Sequence, residues 1–298
     1  NGFVMAGYDD VQAILYMDRQ IRPYWNRTGN ETMAGQFVKA EKEYQSIMAR
    51  CQDFNDALIA DATAAGGKEY AELCTLAWRQ TFGAHKLIET PEGLLLYLSK
   101  ENNSNGSIGT VDLSYPSIPL FLLYNTELAK ALMNPILDYC SSDRWNKDFA
   151  AHDIGRYPRA IGQNYGGDMP VEESGNMLIM AAAVTKAEGN PEFARKHWPL
   201  LTTWVTYLEK YGLDPENQLC TDDFAGHVAH NANLSGKAIL GIASYGYMAE
   251  MLGDRGTAEK YMAKAAGMAR QWEKMADDGD HYRLTFDRPY TWSQKYNL

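Results

Sequence analysis

The sequence predicts an all-α fold built as an array of helical hairpins. Apolar residues recur at spacings of three, four and seven along most of the chain, as they do on one face of an α-helix. Short links containing Gly, Asn or Pro join the predicted helices in pairs, and such links make consecutive helices antiparallel. Long, polar, Gly-rich connections with aromatic residues separate the pairs. We therefore expect helical hairpins whose long loops gather at one end.

The predicted helices follow from this periodicity and from Gly and Pro positions. In the first half they cover residues 31–64, Lys68–Leu87 and, as two shorter pieces, 117–141. In the second half they cover residues 170–188, 191–211, 235–252 and 254–276. Gly66–Gly67 should end the first helix, and Asn134-Pro135 should break or kink the helix that contains it, because Pro lacks a backbone N–H. Strand signal is weak and confined to Leu94–Ser99 and His281–Phe286.

Composition limits the class of protein. The 298 residues carry a formal net charge of −10 at pH 7, which together with the lack of a Lys/Arg run argues against a nucleic-acid partner. The sequence shows neither an apolar run of membrane-spanning length nor a signal peptide. It opens NGFVMAGYDD without an initiator Met, so we expect residues 1–298 to be a single domain from a longer chain.

The cysteines predict neither disulfides nor a metal site. They are widely spaced, without a CxxC pair or a neighbouring His, at Cys51, Cys74, Cys140 and Cys220. Buried thiols are the usual state of such residues. We expect no metal and no other cofactor.

The segment that runs from His152 to Asn176 is the most informative part of the sequence. It combines several acids with Gly and Pro and leads directly into the apolar helix MLIMAAAV. Pro170 suits the first helical position, so Glu172 and Glu173 fall in the first turn, where the helix dipole favours negative charge. This pattern fits an acidic, well-capped helix start, and it equally fits a site that holds several carboxylates.

Hydrolysis of an amide or glycosidic bond needs a proton donor and a base or nucleophile, and carboxylates in unequal environments can fill both roles. Four loops concentrate the residues for such chemistry. The leading catalytic candidates are Asp153, Glu172 and Asp222, followed by Glu173, Asp168 and Asp223. The candidate substrate-binding residues are Lys100, Asn105, Asp112, Tyr115, His152, Arg156, Asn176 and Trp292. The substrate is expected to be a small polar molecule, either an amino acid or a sugar.

Several of these candidate residues also have simpler structural interpretations. Asp222-Asp223 can cap a turn, and His152 can hydrogen-bond a loop carbonyl. His227 and His230 could supply half of a metal site together with the Asp pair, although an HxxH spacing with loose neighbours is a weak signal.

Three long segments resemble the glutaminase A family. They are SNGSIGTVDLSYPSIPLFLLYN, AHDIGRYPRAIGQNYGGDMPVEESGNMLI and LCTDDFAGHVAHNANLSGKAILGIASYGYMAEMLGD. The resemblance implies an (α/α) toroid of the six-hairpin glycosidase type, preceded by a β-rich domain that this chain would contact. It also implies a secreted or periplasmic protein that hydrolyses L-glutamine to glutamate and ammonia. If the substrate is glutamine, Arg156 or Lys100 should hold its α-carboxylate.

The chain departs from this pattern in extent. Roughly eight helices are predicted, whereas a closed six-hairpin toroid needs about twelve, so the toroid should be incomplete here. A glycoside hydrolase is the alternative enzyme, because aromatic residues beside paired carboxylates suit a sugar equally well. A binding module that keeps the toroid without the chemistry is the alternative outside enzymes.

Overall fold

The computed structural model describes residues 3–101, 104–221 and 225–292, and its architecture is all-α with two small β-sheets. The α-helices of this part of the chain are α1 (Met33–Gly83), α2 (Val111–Tyr124), α3 (Thr126–Cys140), α4 (Pro170–Glu188), α5 (Glu192–Tyr211), α6 (Ala232–Met251) and α7 (Arg255–Ala276). Its strands are β1 (Ile14–Tyr16), β2 (Arg19–Ile21), β3 (His85–Glu89), β4 (Leu95–Ser99) and β5 (Arg159–Ala160).

Helices α2 to α7 form three consecutive hairpins, α2/α3, α4/α5 and α6/α7. The two helices of each hairpin pack on each other, and α4 also packs against both α2 and α6. Helices α4 and α6 are buried over most of their length, whereas α5 and α7 bury one face. The helices α2, α4 and α6 thus form an inner layer and α3, α5 and α7 an outer layer, as in half of a six-hairpin toroid.

Local sequence signals set the helix ends. Asn125 separates α2 from α3, and its side-chain oxygen accepts hydrogen bonds from the backbone N–H groups of Glu127 and Leu128. Asn231 caps α6 in the same way. These bonds satisfy N–H groups that have no partner within the helix. Gly189 ends α4 in a left-handed conformation with φ of 65°, which Gly adopts without steric cost.

The interruption predicted at Gly66–Gly67 is confirmed, since Gly67 adopts φ of 84° inside α1. The helix predicted over Lys68–Leu87 ends earlier, at Gly83, and the expectation for residues 85–87 is wrong. Those residues belong to β3, which pairs antiparallel with β4. The weak signal at Leu94–Ser99 was therefore a real strand, because pairing between strands overrides a local helical preference.

Pro135 does not break its helix. Helix α3 continues through it, and the Nδ2 group of neighbouring Asn134 donates to the carbonyl of Leu95 on β4 at 2.8 Å. The break between the two helices lies at Asn125 instead. Helix α2 also begins before the predicted position 117, at Val111, although it contains Pro116 and Pro119. Packing of α2 and α3 on their neighbours outweighs the cost of these prolines.

The β-structure ties distant segments to the hairpins. Strand β1 pairs with β2 and also, in parallel, with β5 in the loop before α4. The pairing expected of His281–Phe286 is confirmed, because Thr285 forms an antiparallel bridge with Asn231 at the start of α6.

One apolar core runs through the hairpins and includes the fully buried side chains of Trp204, Tyr16 and Phe121. Buried Cys140 and Cys220 accept hydrogen bonds from the backbone of Ala151 and the side chain of Asn231. Among the described helices none is long and apolar enough to cross a membrane.

Candidate active site

The polar loops meet on one face, as predicted. Backbone hydrogen bonds link Ile108 to Ile154 and Gly155, and the N–H of Val111 donates to the carbonyl of His152. The loop between α5 and α6 joins them where α4 begins, since the side chain of Gln218 in this loop accepts a hydrogen bond from the backbone N–H of Val171 at 3.0 Å. The N-terminal ends of the inner helices therefore face a common centre.

The first turn of α4 places two carboxylates in this centre. Glu172 and Glu173 are both 0% exposed. Asn176 lies one turn further along the helix, and its Nδ2 group donates to Glu172 at 3.2 Å and to Glu173 at 3.1 Å. The spacing of three and four residues that the sequence shows brings these side chains together. The acidic helix start is thus a buried cluster and not a solvated cap.

A buried lysine on α6 neutralises one of these acids. Lys237 is 1% exposed and forms an ion pair with Oε1 of Glu172. Its ammonium group also lies 4.4 Å from the ring centroid of Tyr115, and the hydroxyl of Thr221 donates to the same Glu172 oxygen at 2.9 Å. Because a buried charge is tolerated only with partners, Glu172 and Lys237 hold α4 and α6 in a fixed relation.

Asp153 fixes the position of His152. The Asp153 carboxylate accepts hydrogen bonds from the backbone N–H groups of Gly155, Asn164 and Tyr165 at 2.8 to 3.0 Å. It also accepts one from Nδ1 of His152 at 2.9 Å. The His152 ring stacks on that of Tyr165 with 4.3 Å between centroids. The Asp153 side chain is therefore fully occupied, and its contacts aim Nε2 of His152 away from it.

Nε2 of His152 faces Asp112. Asp112 lies in the first turn of α2, and its Oδ1 is 3.7 Å from Nε2 of His152. Burial lowers the pKa of His152, but the hydrogen bond to Asp153 and the charge of Asp112 outweigh it, so the pKa rises above its usual value. Burial raises the pKa of Asp112 to about 6, against the attraction of His152 and with repulsion from Glu172.

Glu173 is the most strongly perturbed member. Its complete burial, followed by repulsion from Asp112 and Glu172, raises its pKa well above the usual value. Several acceptor oxygens in this cluster have no hydrogen-bond donor among the described residues, namely Asp112 Oδ1, Glu172 Oε2, Glu173 Oε1 and Asn176 Oδ1. The cluster thus holds more negative charge and more acceptors than its own cations and donors satisfy.

Three side chains of the cluster could hold a metal ion. One ligand-type atom each from Asp112, His152 and Glu173 lie within 4.8 Å of one another. They come from α2, from the loop before α4 and from α4 itself, so the hairpin packing and not a local motif brings them together.

The remaining predicted site residues have other main contacts, and Asp168 is linked to the group through Gln163, whose side chain donates to Asp168 and accepts from the backbone N–H of His152. Asp168 pairs with Lys147 at 2.5 Å and lines a neighbouring cavity of about 400 Å³. Lys100 lies 5.6 Å from the ring of Tyr157, and Arg156 is exposed. The side chain of Asn105 accepts a hydrogen bond from the backbone of Ser107 within its own loop.

Two predicted positions lie further from the centre or outside the described residues. Trp292 is 68% exposed and stacks on His281 at 3.9 Å between centroids. Asp222 and Asp223 are outside the described part of the chain. Of the HxxH pair, His230 contacts Asp214 at 2.7 Å.

Sequence reasoning missed Lys237 and gave Thr221, in the polar loop with Asp222 and Asp223, no role of its own. A signal for Lys237 existed, since it is the only charged residue between Ala232 and Ala249 in an otherwise apolar and small-residue helix. A lone charge in such a helix is buried only with a partner. Thr221 carries no comparable signal, because its contact with Glu172 spans 49 residues.

Three packed hairpins, with inner and outer helical layers and the acidic cluster at their loop ends, define a helical-hairpin domain. The chain belongs to the glutaminase A six helical-hairpin domain family, whose family model matches residues 67–298. The match begins at Gly67, where α1 is interrupted.

Two fungal proteins are similar to most of the chain. Glutaminase A of Aspergillus oryzae is 35% identical over 263 residues, which cover 86% of this chain and 38% of the relative. A probable glutaminase of Arthroderma benhamiae is 28% identical over 306 residues, which cover 82% of this chain and 35% of the relative. The chain therefore spans little more than a third of the length of the curated relatives it matches.

Proposed function

We propose that this domain is part of a hydrolase of the glutaminase type, which releases ammonia from the side-chain amide of L-glutamine. Family membership and the names of both fungal relatives support the proposal. The main structural support is the buried ion pair between Lys237 and Oε1 of Glu172. It leaves the second oxygen of the same carboxylate, Oε2, without a hydrogen-bond partner among the described residues and inside a cluster of acids.

Glu172 is the proposed general base. Its Oε1 is occupied by Lys237, Thr221 and Asn176, whereas Oε2 has no hydrogen-bond partner among the described residues. Oε2 can therefore take a proton from an attacking water molecule. The same carboxyl can then return the proton to the departing nitrogen, so that one group serves both proton transfers. Lys237 keeps its proton and limits the build-up of negative charge.

Substrate would reach the cluster through its partly exposed members. Asp112, Tyr115 and Thr221 are half-buried, whereas Glu172, Glu173 and Lys237 are buried. Exposed Arg156, on the loop hydrogen-bonded to residues 106–108, is the proposed partner of the glutamine α-carboxylate, with Lys100 as the alternative. Asp222 and Asp223 follow Thr221 directly in the chain and remain candidate acids.

Two roles change from those first expected. Asp153 is proposed to position His152, because all its hydrogen bonds go to the backbone and to that ring. Asp168 is proposed to be structural through Lys147.

The test is an activity screen of the intact protein, which we propose to be secreted or periplasmic. Ammonia release from L-glutamine, L-asparagine and N-acetyl-L-glutamine would be measured beside a panel of nitrophenyl glycosides. The proposal requires ammonia from L-glutamine above all other substrates. Glycoside cleavage without ammonia release would replace it with the glycosidase interpretation, and no turnover of any substrate would favour a binding module.

A further inference from the structure

We infer that Asp112, His152 and Glu173 form a binding site for a divalent cation that accepts mixed nitrogen and oxygen ligands, such as Mn²⁺ or Zn²⁺. The binding claim does not depend on the proposed function, which enters only where a catalytic consequence is drawn. It differs from the sequence expectation of a domain without metal.

The charge of the cluster is the first feature that points to a cation. Lys237 pairs with Glu172, and the backbone N–H groups around Asp153 satisfy that carboxylate. Lys237 also attracts Asp112 and Glu173, but its ion pair is with Glu172, and among the described residues His152 is the cationic side chain within ion-pair distance of Asp112. Two buried carboxylates with oxygens this close repel each other unless a proton or a cation lies between them.

Two buried carboxylate oxygens of the cluster lack hydrogen-bond donors among the described residues, which is the second feature that points to a cation. Glu173 is 0% exposed, and its Oε1 has no hydrogen-bond donor among the described residues. Oδ1 of Asp112 is buried and lacks a donor in the same way. Such groups are costly when unpaired, and here both belong to the set of three whose ligand-type atoms lie within 4.8 Å.

The orientation of the His152 ring is the third feature that points to a cation. A carboxylate can only accept hydrogen bonds, so whenever the His152 ring carries a single proton, Asp153 holds that proton on Nδ1 and leaves the lone pair on Nε2. A histidine that ligates a metal usually donates its other ring N–H to a carboxylate or carbonyl in this manner. Nε2 is 3.7 Å from Asp112 Oδ1. Two ligand atoms that each lie about 2.1 Å from the same ion can be separated by this distance.

The donor set determines the class of cation. One imidazole nitrogen and two carboxylates suit Zn²⁺ or Mn²⁺, whereas Mg²⁺ and Ca²⁺ prefer oxygen ligands alone. If the proposed function holds, the cation would polarise the water or the amide carbonyl beside Glu172, which would keep its role as base.

The competing arrangement is a protonated His152 that neutralises Asp112 and Asp153 without any metal. Calorimetric titration of the chelator-treated intact protein distinguishes the two, with Mn²⁺ and Zn²⁺ as probes and Mg²⁺ and Ca²⁺ as comparators. We expect saturable binding of Mn²⁺ or Zn²⁺, and metal analysis after gel filtration should recover a single ion per chain. Absence of both binding heat and retained metal would overturn the inference and favour the protonated histidine.

Variants locate the site. Asp112→Asn and Glu173→Gln keep side-chain shape and should abolish binding, and Asp153→Asn should weaken it about 10–100-fold because the ring loses its orienting carboxylate. Asp254→Asn is the matched control, since the exposed Asp254 carboxylate caps α7 by accepting from the backbone of Thr257, and it should bind as the unmodified protein does. Circular dichroism would verify that each variant is folded. Unchanged binding in both Asp112→Asn and Glu173→Gln would overturn the assignment.

Ammonia release measured on the same samples tests the proposed function separately. Metal binding without turnover of any amide would refute that function and leave the cation site standing. Turnover that persists in the chelator-treated protein, without measurable binding, would refute the cation site and leave the function standing.

Discussion

Glu172 on α4 and Lys237 on α6 form an ion pair whose side chains are 0% and 1% exposed. The two residues are 65 positions apart in the chain, so only the packing of neighbouring inner helices creates the contact. Thr221 and Asn176 complete the surroundings of the Glu172 carboxylate, and the pair links the stability of the domain to its proposed chemistry.

Replacing Lys237 with Met should destabilise the domain by about 3–5 kcal/mol, because Glu172 would remain buried without its counter-charge. Urea denaturation followed by circular dichroism measures the loss. The double variant Lys237→Met with Glu172→Gln removes both charges and should recover most of it. If the single and double variants were equally stable, the pair would contribute nothing through charge.

Glu172→Gln should lower ammonia release by about 10²–10⁴-fold, the usual contribution of a general base. Gln preserves the shape of the side chain but cannot take a proton from water. Asp168→Asn, an acid of the same face that pairs with Lys147, should keep turnover within a few-fold. Steady-state kinetics at saturating glutamine would compare the two, and equal effects in both would remove the special role of Glu172.

Asp153→Asn should loosen the loop before α4. Three backbone N–H groups, those of Gly155, Asn164 and Tyr165, donate to the two carboxylate oxygens, and an Asn side chain offers only one acceptor oxygen. Hydrogen exchange should therefore accelerate at the amides that face the new Nδ2 group, since those buried donors would lose their partner. Asp254→Asn is the control and should change exchange only around Thr257, the residue that Asp254 caps in α7. Unchanged protection at all three amides would show that the loop holds its form without Asp153.

Asn125→Ala should cost about 0.5–2 kcal/mol, because it removes the cap that satisfies the first N–H groups of α3. Gln52→Ala on the exposed face of α1 should stay within about 0.5 kcal/mol of the parent. Thermal melting of both variants measures the difference. Equal melting points would mean that packing of α3, and not its cap, sets the helix start.

The hairpins could be predicted from the sequence because their signals are local. The bounds of α4 match the predicted 170–188, and Gly67 interrupts α1 where the Gly pair stands. The helix predicted at residues 85–87 was wrong, because those residues pair with β4. A break at Pro135 was also wrong, since α3 continues through it and Asn134 binds the backbone of β4. These are contacts between segments distant in sequence, which a periodicity within one segment does not contain.

The site was predictable in part for the same reason. Glu172, Glu173 and Asn176 share one helical turn, so their proximity follows from spacing alone. The partnership of Asp112 with His152 and of Lys237 with Glu172 depends on how three hairpins pack. The catalytic roles of all these residues, and of Asp222 and Asp223, remain predictions.

Each inner helix contributes at least one member to the cluster: Asp112 from α2, Glu172 from α4 and Lys237 from α6. No hairpin alone, and no pair of hairpins, contains all three. Assembly of the site and docking of the hairpins are consequently a single event. Recovery of activity during refolding would then report the moment at which the last of the three hairpins joins the other two, and any partly docked intermediate would be inactive.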